Sequence, residues 1–425
     1  MLGVAAAGPL ASLGGPLPLR VVGDPRRLSE REAWAILASA RQVGPIALVR
    51  IVDALGSASR AVEIAASLGA DALIEAMAAA VRTRTAALSR EQAEAVAARA
   101  AAPDVVLRAI DRLGLRILLL EDGDYPPRLL AIELPPPVLF VWGDVDALDP
   151  ARAVAVVGTR HPSEAGRALA ARIGTAISDR GATIVSGLAL GIDGVAHHAA
   201  VRLRRPTVAV LGGGHERVYP PAHRSLADAI VEHGGAVISE HAPDETPTKG
   251  TFPRRNRVIS GLAEATVVVE APRRSGALIT AEWALDQGRE CFLVPGAIGQ
   301  RASVGCLEFL RQYPGQARVV ASVETLLEDL ELDGSAPRIG REPVQLASLG
   351  LSSMESRLAD LLRADAATVD DLVRETRLPV ASVLSALTLL ETRGLVAGAY
   401  GRYRPTTDLA AADLPRGPTR SSARR

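Results

Sequence analysis

Between residues 153 and 294, six short and uninterrupted apolar runs recur about every 25 to 30 residues: VAVV (154–157), TIV (183–185), TVAVL (207–211), AVIS (236–239), TVVVE (266–270) and CFLV (291–294). That interval is the length of one strand–helix unit. The intervening segments, such as EAGRALAARIGTAISDRG and HRSLADAIVEHGG, show helical periodicity and close on glycine, a common residue just past a helix end. Strands apolar on both faces, alternating with amphipathic helices, imply a parallel sheet covered on both sides. The expected fold is a doubly wound α/β core over residues 101–330, and its ligands belong at the carboxyl ends of the strands.

The flanks read differently. Residues 28–100 repeat apolar positions at helical spacing (REAWAILASARQ, ALVRIVDAL, REQAEAVAARAAA) and predict a small all-helical module. A proline-rich stretch, residues 118–144, leads into the core and is expected to carry two short strands. Residues 331–349 read as a linker. Over 350–405, three helical patterns precede two extended pieces around a glycine, the order of a winged helix. Its predicted recognition helix, VASVLSALTLLETRG, holds Arg393 as its only basic residue, so readout of a duplex groove is not expected. Residues 1–27, broken by prolines and glycines with no base before Arg20, make a poor signal or membrane segment and are read as a disordered extension; 406–425 read as a basic tail.

With 48 basic and 48 acidic residues the chain has no net charge, so an anionic partner must be met by a local patch. One run stands out. KGTFPRRNR (249–257) places Lys249, Arg254, Arg255 and Arg257 in nine positions without an acid, and Lys249 is the only lysine of the chain. Other loops follow the predicted strands. VVGTRHPSEAG (156–166) offers Gly158 for backbone approach to an anion, with Arg160 aimed at the same place and Ser163 as a helix cap. SGLALGID (186–193) and the triple glycine of LGGGHERVYPPAH add two more, and Arg273–Arg274 a further basic pair. The guanidinium heads are expected to face solvent, so that replacing Arg255 and Arg257 by alanine leaves the fold intact.

Other chemistries fit less well. Gly212 and Gly214 are followed by Arg217 where a dinucleotide fingerprint needs glycine, and no phosphate-loop motif occurs. Cys291 and Cys306 are too few for a disulfide framework and lack metal-ligand spacing, which suits a reducing cytoplasm. Asp193 and His197 share a helix face, but a helix-start aspartate and a hydrogen-bonded core histidine account for them. No nucleophile is evident, and no cofactor or metal is expected.

In combination, order and spacing, VGTR, SGLALGIDGVAHHAA, LGGGHERVYP, Ser239-Glu240, FPRRNRVISGL, VVVEAPRRSGALITAEWAL and GRECFLVPG resemble the DNA-processing protein A (DprA/Smf) family. The resemblance spans about residues 28–400. It implies an extended Rossmann-like core that binds single-stranded DNA, forms a homodimer and loads the RecA recombinase during natural transformation. It also implies a sterile-alpha-motif-like helical module before the core and a winged helix after it, and neither enzymatic activity nor a membrane. The family's glycine–serine–arginine loop falls on Gly158, Thr159 and Arg160, and its other motifs on Ser186 and Gly187 and on Arg254, Arg255, Asn256 and Arg257. Lys249, Arg273 and Arg274 complete the expected DNA-binding set. VGPIALVRIVDALGS is close to a helix-hairpin-helix, with Gln42 in place of the first turn glycine. Because aromatics are 3% of the chain, phosphate contact rather than base stacking is expected to dominate. The alternative is a Rossmann-like hydrolase of nucleotides or nucleoside monophosphates, using Glu240, Glu270 or Glu282.

Overall fold

The computed structural model describes residues 28–80, 88–332, 351–364, 367–399 and 402–405. The expected extension 1–27, the basic tail 406–425 and all but the first two residues of the expected linker lie outside the described residues.

Five helices come first: α1 (Glu30–Ala38), α2 (Pro45–Leu55), α3 (Ala58–Ala80), α4 (Arg90–Ala101) and α5 (Asp104–Leu113). α1 starts at a capping box, in which the Ser29 hydroxyl accepts from the Glu32 amide while Glu32 reaches back to the Ser29 amide. α3 is broken at Gly69, whose φ of 82° a side chain would resist. In the turn before α2, Gln42 takes φ 67°. The left-handed turn that glycine would supply is thus kept by a larger residue, at a cost of about 1 kcal/mol.

β1 (Arg116–Leu119) and β2 (Val138–Gly143) form an antiparallel pair around the short helix α6 (Pro127–Leu130). The alternating unit follows: β3 (Ala153–Val157), α7 (Glu164–Asp179), β4 (Thr183–Ser186), α8 (Ile192–Arg202), β5 (Thr207–Val210), α9 (Arg224–Glu232), β6 (Ala236–Ser239), α10 (Thr251–Gly261), β7 (Ala265–Val268), α11 (Gly276–Asp286), β8 (Glu290–Leu293), α12 (Val304–Gln312), β9 (Ala317–Val319) and α13 (Val323–Asp329). All nine strands make one sheet in the order β1-β2-β6-β5-β4-β3-β7-β8-β9, parallel from β6 to β9. The six apolar runs are β3 to β8, as expected. β9 has no counterpart among the predicted strands.

Successive strand residues point to opposite faces, and both faces are covered. Ala155, Val157, Val185 and Val210 pack with Val258 and Ile259 of α10 and Ala277 and Ala281 of α11. Val154, Val156 and Ile184 pack with Ile173 and Ile177 of α7 and Ala196 and Ala200 of α8. The N-terminal helices share a third cluster with Val138 and Phe140 of β2. Three ion pairs bind them to the core: Arg31–Asp122, Arg99–Asp244 and Arg112–Glu216.

A C-terminal unit has α14 (Ser353–Ala364), β10 (Ala367–Thr368), α15 (Val369–Thr376), α16 (Val380–Thr392), β11 (Val396–Ala399) and β12 (Arg402–Pro405), with the three strands in one small sheet. α16 exposes Val380, Leu384 and Leu389, and Arg393 lies 3.8 Å from Glu355. An apolar surface with a paired arginine is unsuited to a DNA groove.

Asp193 and His197 are structural. The Asp193 carboxylate accepts the Gly187 amide at 3.1 Å. The Thr207 hydroxyl donates to Ile184 O, so it must accept from His197 Nδ1 at 2.8 Å. Burial first, then the neighbouring His223, His198 and Arg255, pushes His197 down to about 3; burial pushes His215 down to about 4. Both are therefore neutral in the fold, while the unfolded chain takes up protons from about pH 6.5 downward. Stability should be full above that pH and fall by about 1.4 kcal/mol per pH unit for each histidine as pH drops toward 4. Urea unfolding at a series of pH values checks this. His197→Asn should show about half the slope, and a flat profile from pH 7 to 5 would contradict it.

Candidate nucleic-acid interface

α10 opens with Thr251, Phe252 and Pro253, and its helical phase sorts the basic run that follows. Positions 252, 255, 258 and 259 share one face. Val258 and Ile259 are core residues, so Arg255 is carried inward with them. Arg255 and Arg257 are each only 4% exposed, and Asn256 is buried beside them. This corrects the expectation of solvent-facing heads.

Each buried group ties a different loop. Arg255 Nη1 donates to Gly187 O at 2.9 Å and to Val210 O, joining the loops after β4 and β5. Asn256 Nδ2 donates to Gly276 O at 3.0 Å, at the start of α11. Arg257 makes a two-pronged pair with Glu240 after β6, at 2.8 and 2.6 Å, and its Nε donates to Leu134 O at 3.0 Å. Burial would raise the Glu240 carboxyl, but Arg257 holds it below the usual carboxylate range. Burial, reinforced by Arg160, lowers Arg255 to about 10, still protonated at neutral pH.

Several glycines serve this packing. A Cβ on Gly187 would lie 2.7 Å from the Arg255 guanidinium, and one on Gly158 would lie 2.5 Å from Ile192. Gly158 is thus required by helix packing. Ser186 is fully buried, and its hydroxyl donates to Val156 O at 2.6 Å. The Thr159 hydroxyl accepts from the His161 amide at 3.2 Å. The Ser186 hydroxyl proton is therefore spent within the protein, away from any phosphate, whereas Thr159 uses only its oxygen and keeps its own O–H for a further acceptor.

The sheet's switch point lies between β3 and β7, where doubly wound proteins usually hold a ligand. Here it is filled from within. The buried Glu270 carboxylate accepts the Ser163 amide and hydroxyl, each at 2.8 Å, at the N-terminus of α7. A Cβ on Gly166 would lie 2.5 Å from the same carboxylate. The protein's own anion occupies the place of a nucleotide phosphate.

Open basic surface lies to one side, over β3 to β6. Arg160, Gly187, Leu190, Tyr219, Phe252 and Arg255 line one hollow. Arg217, Tyr219, Phe252, Lys249 and Arg224 line a larger adjoining groove of about 820 Å³. The Arg160 guanidinium stands 5.5 Å from the centre of the Phe252 ring, and the Tyr219 and Phe252 rings are 5.8 Å apart. Arg160, Arg217 and Lys249 are exposed, and among the described residues no carboxylate lies within ion-pair distance of them. Of the expected set, Arg160, Gly187, Lys249 and Arg255 line these adjoining hollows. Arg254 is exposed on the other side of α10, and Arg273 and Arg274 lie after β7, outside both hollows, with Arg273 paired to Glu308. Phe252, Tyr219 and Arg217 were missed. Phe252 stands inside the quoted basic run, so its ring was the available signal.

Residues 116–331 match the family model for DNA recombination-mediator protein A, and residues 342–402 match the DprA winged helix domain. The chain belongs to the DNA recombination-mediator protein A family. Protein Smf of Escherichia coli is 39% identical over 285 residues, 66% of this chain and 74% of that protein. DNA processing protein DprA of Bacillus subtilis is 39% identical over 225 residues, 53% and 74% respectively. The crystal structure of DNA processing protein A from Streptococcus pneumoniae superposes with a TM-score of 0.55 at 29% identity, covering 72% of this chain and all but 1% of the other. Among the described residues no helix is long and apolar enough to cross a membrane.

The Arg257–Glu240 pair gives a stability test. Arg257→Ala leaves a buried carboxylate without its partner and should cost roughly 3 to 5 kcal/mol. Replacing both residues by methionine should recover part of that, because no buried charge is left unpaired although Leu134 O loses its donor. Urea denaturation of the two variants checks this; equal losses, or an Arg257→Ala protein as stable as wild type, would contradict it.

Proposed function

We propose that this protein binds single-stranded DNA across the face formed by Arg160, Arg217, Lys249, Tyr219 and Phe252. The observation that carries the reading is the unpaired cations flanking two aromatic rings over the loops after β3 to β6. Cations spaced along a groove suit a phosphate backbone, and exposed rings suit unstacked bases. Tyr219 is 49% exposed, so a base can reach it. Arg255 adds positive field from below without touching the strand. Of the acids offered for the hydrolase alternative, Glu270 is committed to the α7 cap, Glu240 to Arg257, and Glu282 is exposed on α11 outside both hollows, which favours the DNA-binding reading.

In the same reading the protein acts in the cytoplasm as a homodimer without catalytic activity of its own. It hands the coated strand to the RecA recombinase during natural transformation. The support for the recombination step is the family description as a recombination mediator and the naming of its relatives as DNA processing proteins; the cytoplasmic, non-catalytic homodimer rests on the motif resemblance alone.

Fluorescence anisotropy with a labelled oligothymidylate, repeated over a range of salt, tests the binding face. Arg160→Ala and Lys249→Ala should each weaken binding roughly tenfold, the loss of one charge-assisted contact of about 1.5 kcal/mol. Each should also flatten the salt slope by about 0.7. Tyr219→Ala should weaken binding by about 1 to 3 kcal/mol, with the slope unchanged. A folded Arg160→Ala/Lys249→Ala protein with wild-type affinity and slope would defeat the proposal.

A further inference from the structure

The helix-hairpin-helix-like segment of the N-terminal module is left without a role by the site described so far. It borders a cavity of about 370 Å³ at the seam between module and core. Pro45, Ile46, Met77, Leu88 and Leu134 supply apolar walls, and Trp283 of α11 supplies an indole. The charged residues on its wall are all arginines: Arg50 of α2, and Arg254 and Arg257 of α10. Arg257 is committed to Glu240. Arg50 and Arg254 are exposed, and among the described residues neither has a carboxylate within ion-pair distance. A mostly apolar cavity of a few hundred Å³, framed by two open guanidinium groups, fits a planar aromatic body joined to a phosphate.

Phe252 and Arg254 are two positions apart on α10, so they lie on nearly opposite sides of its first turn. The DNA-binding face and the seam cavity are therefore separated by one helix, on the order of 10 Å across. We propose that the seam cavity is a second station for the same DNA strand. A strand leaving the Phe252 face crosses the α10 N-terminus, sets one base against Trp283 and Ile46, and places the adjoining phosphates on Arg254 and Arg50. This rests on the reading of the Phe252 face as a single-stranded DNA site. It gives the helical module a part in binding that does not need the usual glycine at Gln42, because the contacts come from the cavity wall and not from the hairpin turn.

The full chain and its Arg50→Glu variant are titrated with oligothymidylates of increasing length; Arg50 is exposed, so the variant should fold as wild type does. Short oligomers that fill only the Phe252 face should bind both proteins alike. Beyond a threshold length, wild type should gain affinity and its salt slope should steepen by about 0.7 per added phosphate contact. Arg50→Glu should lose roughly tenfold on those long oligomers. In parallel, a long oligomer carrying one 5-bromouracil is irradiated on wild type, and a crosslink is expected at Trp283. Equal binding of long oligomers by both proteins, with no crosslink in the cavity, overturns the second station and leaves the first intact. Absence of binding at every length overturns both.

Discussion

Two guanidinium groups with almost no access to water hold the carboxyl edge of the sheet together. Arg255 spans the loops after β4 and β5, and Arg257 joins the loop after β6 to the β1–β2 connection through Glu240 and Leu134. Backbone carbonyls in tight loops have no sheet partner, and a buried one left unpaired costs as much as a lost hydrogen bond. A planar fork with five donors satisfies several such acceptors from one position, which an ammonium cannot do with the same geometry. Asp193 works in the opposite sense, accepting loop amides where Arg255 donates to loop carbonyls. These charges lie beneath the proposed binding face and tie its loops to one another.

The same helix that supplies the clamps also supplies the ligand face, and its phase divides the labour. Arg255, Asn256 and Arg257 turn toward the core, and Arg254 turns away from it. Lys249 precedes the helix and escapes the phase altogether. Phe252 shares the inward face but stands one turn before Arg255, where the sheet has ended. Its ring lies where a Cβ on Gly212 would approach it to 2.7 Å, and the Arg160 guanidinium stands 5.5 Å from its centre.

Most of the architecture is legible in the sequence, because a strand buried on both faces can only be written as a continuous apolar run. β9 escapes that rule. It is three residues long at the sheet's edge, and Arg318 within it is exposed and ion-paired. The basic run was legible as charge but not as direction, since composition does not state which side of a helix a residue occupies. The missing information was nevertheless in the chain: Val258 and Ile259 must be buried, and the residue three positions before Val258 shares their face. Glu270 was less accessible to reading. Its role depends on β3 and β7 being neighbours, a topological fact that no local pattern contains.

In the proposed reading, that capped switch point sets where nucleic acid can sit. In a doubly wound sheet the strongest positive end of the fold is the helix N-terminus beside the reversal of strand order, and here an internal carboxylate neutralises it. Any bound strand is displaced toward β4 to β6, onto side-chain cations instead of helix amides. Side-chain cations can be spaced at intervals along a polymer, whereas one helix terminus serves one phosphate. The chain has no net charge, so attraction for a polyanion comes from local patches of open cations. Binding strength should be concentrated in the open cations on either side of the first turn of α10, Arg160, Arg217 and Lys249 on one side and Arg254 and Arg50 on the other.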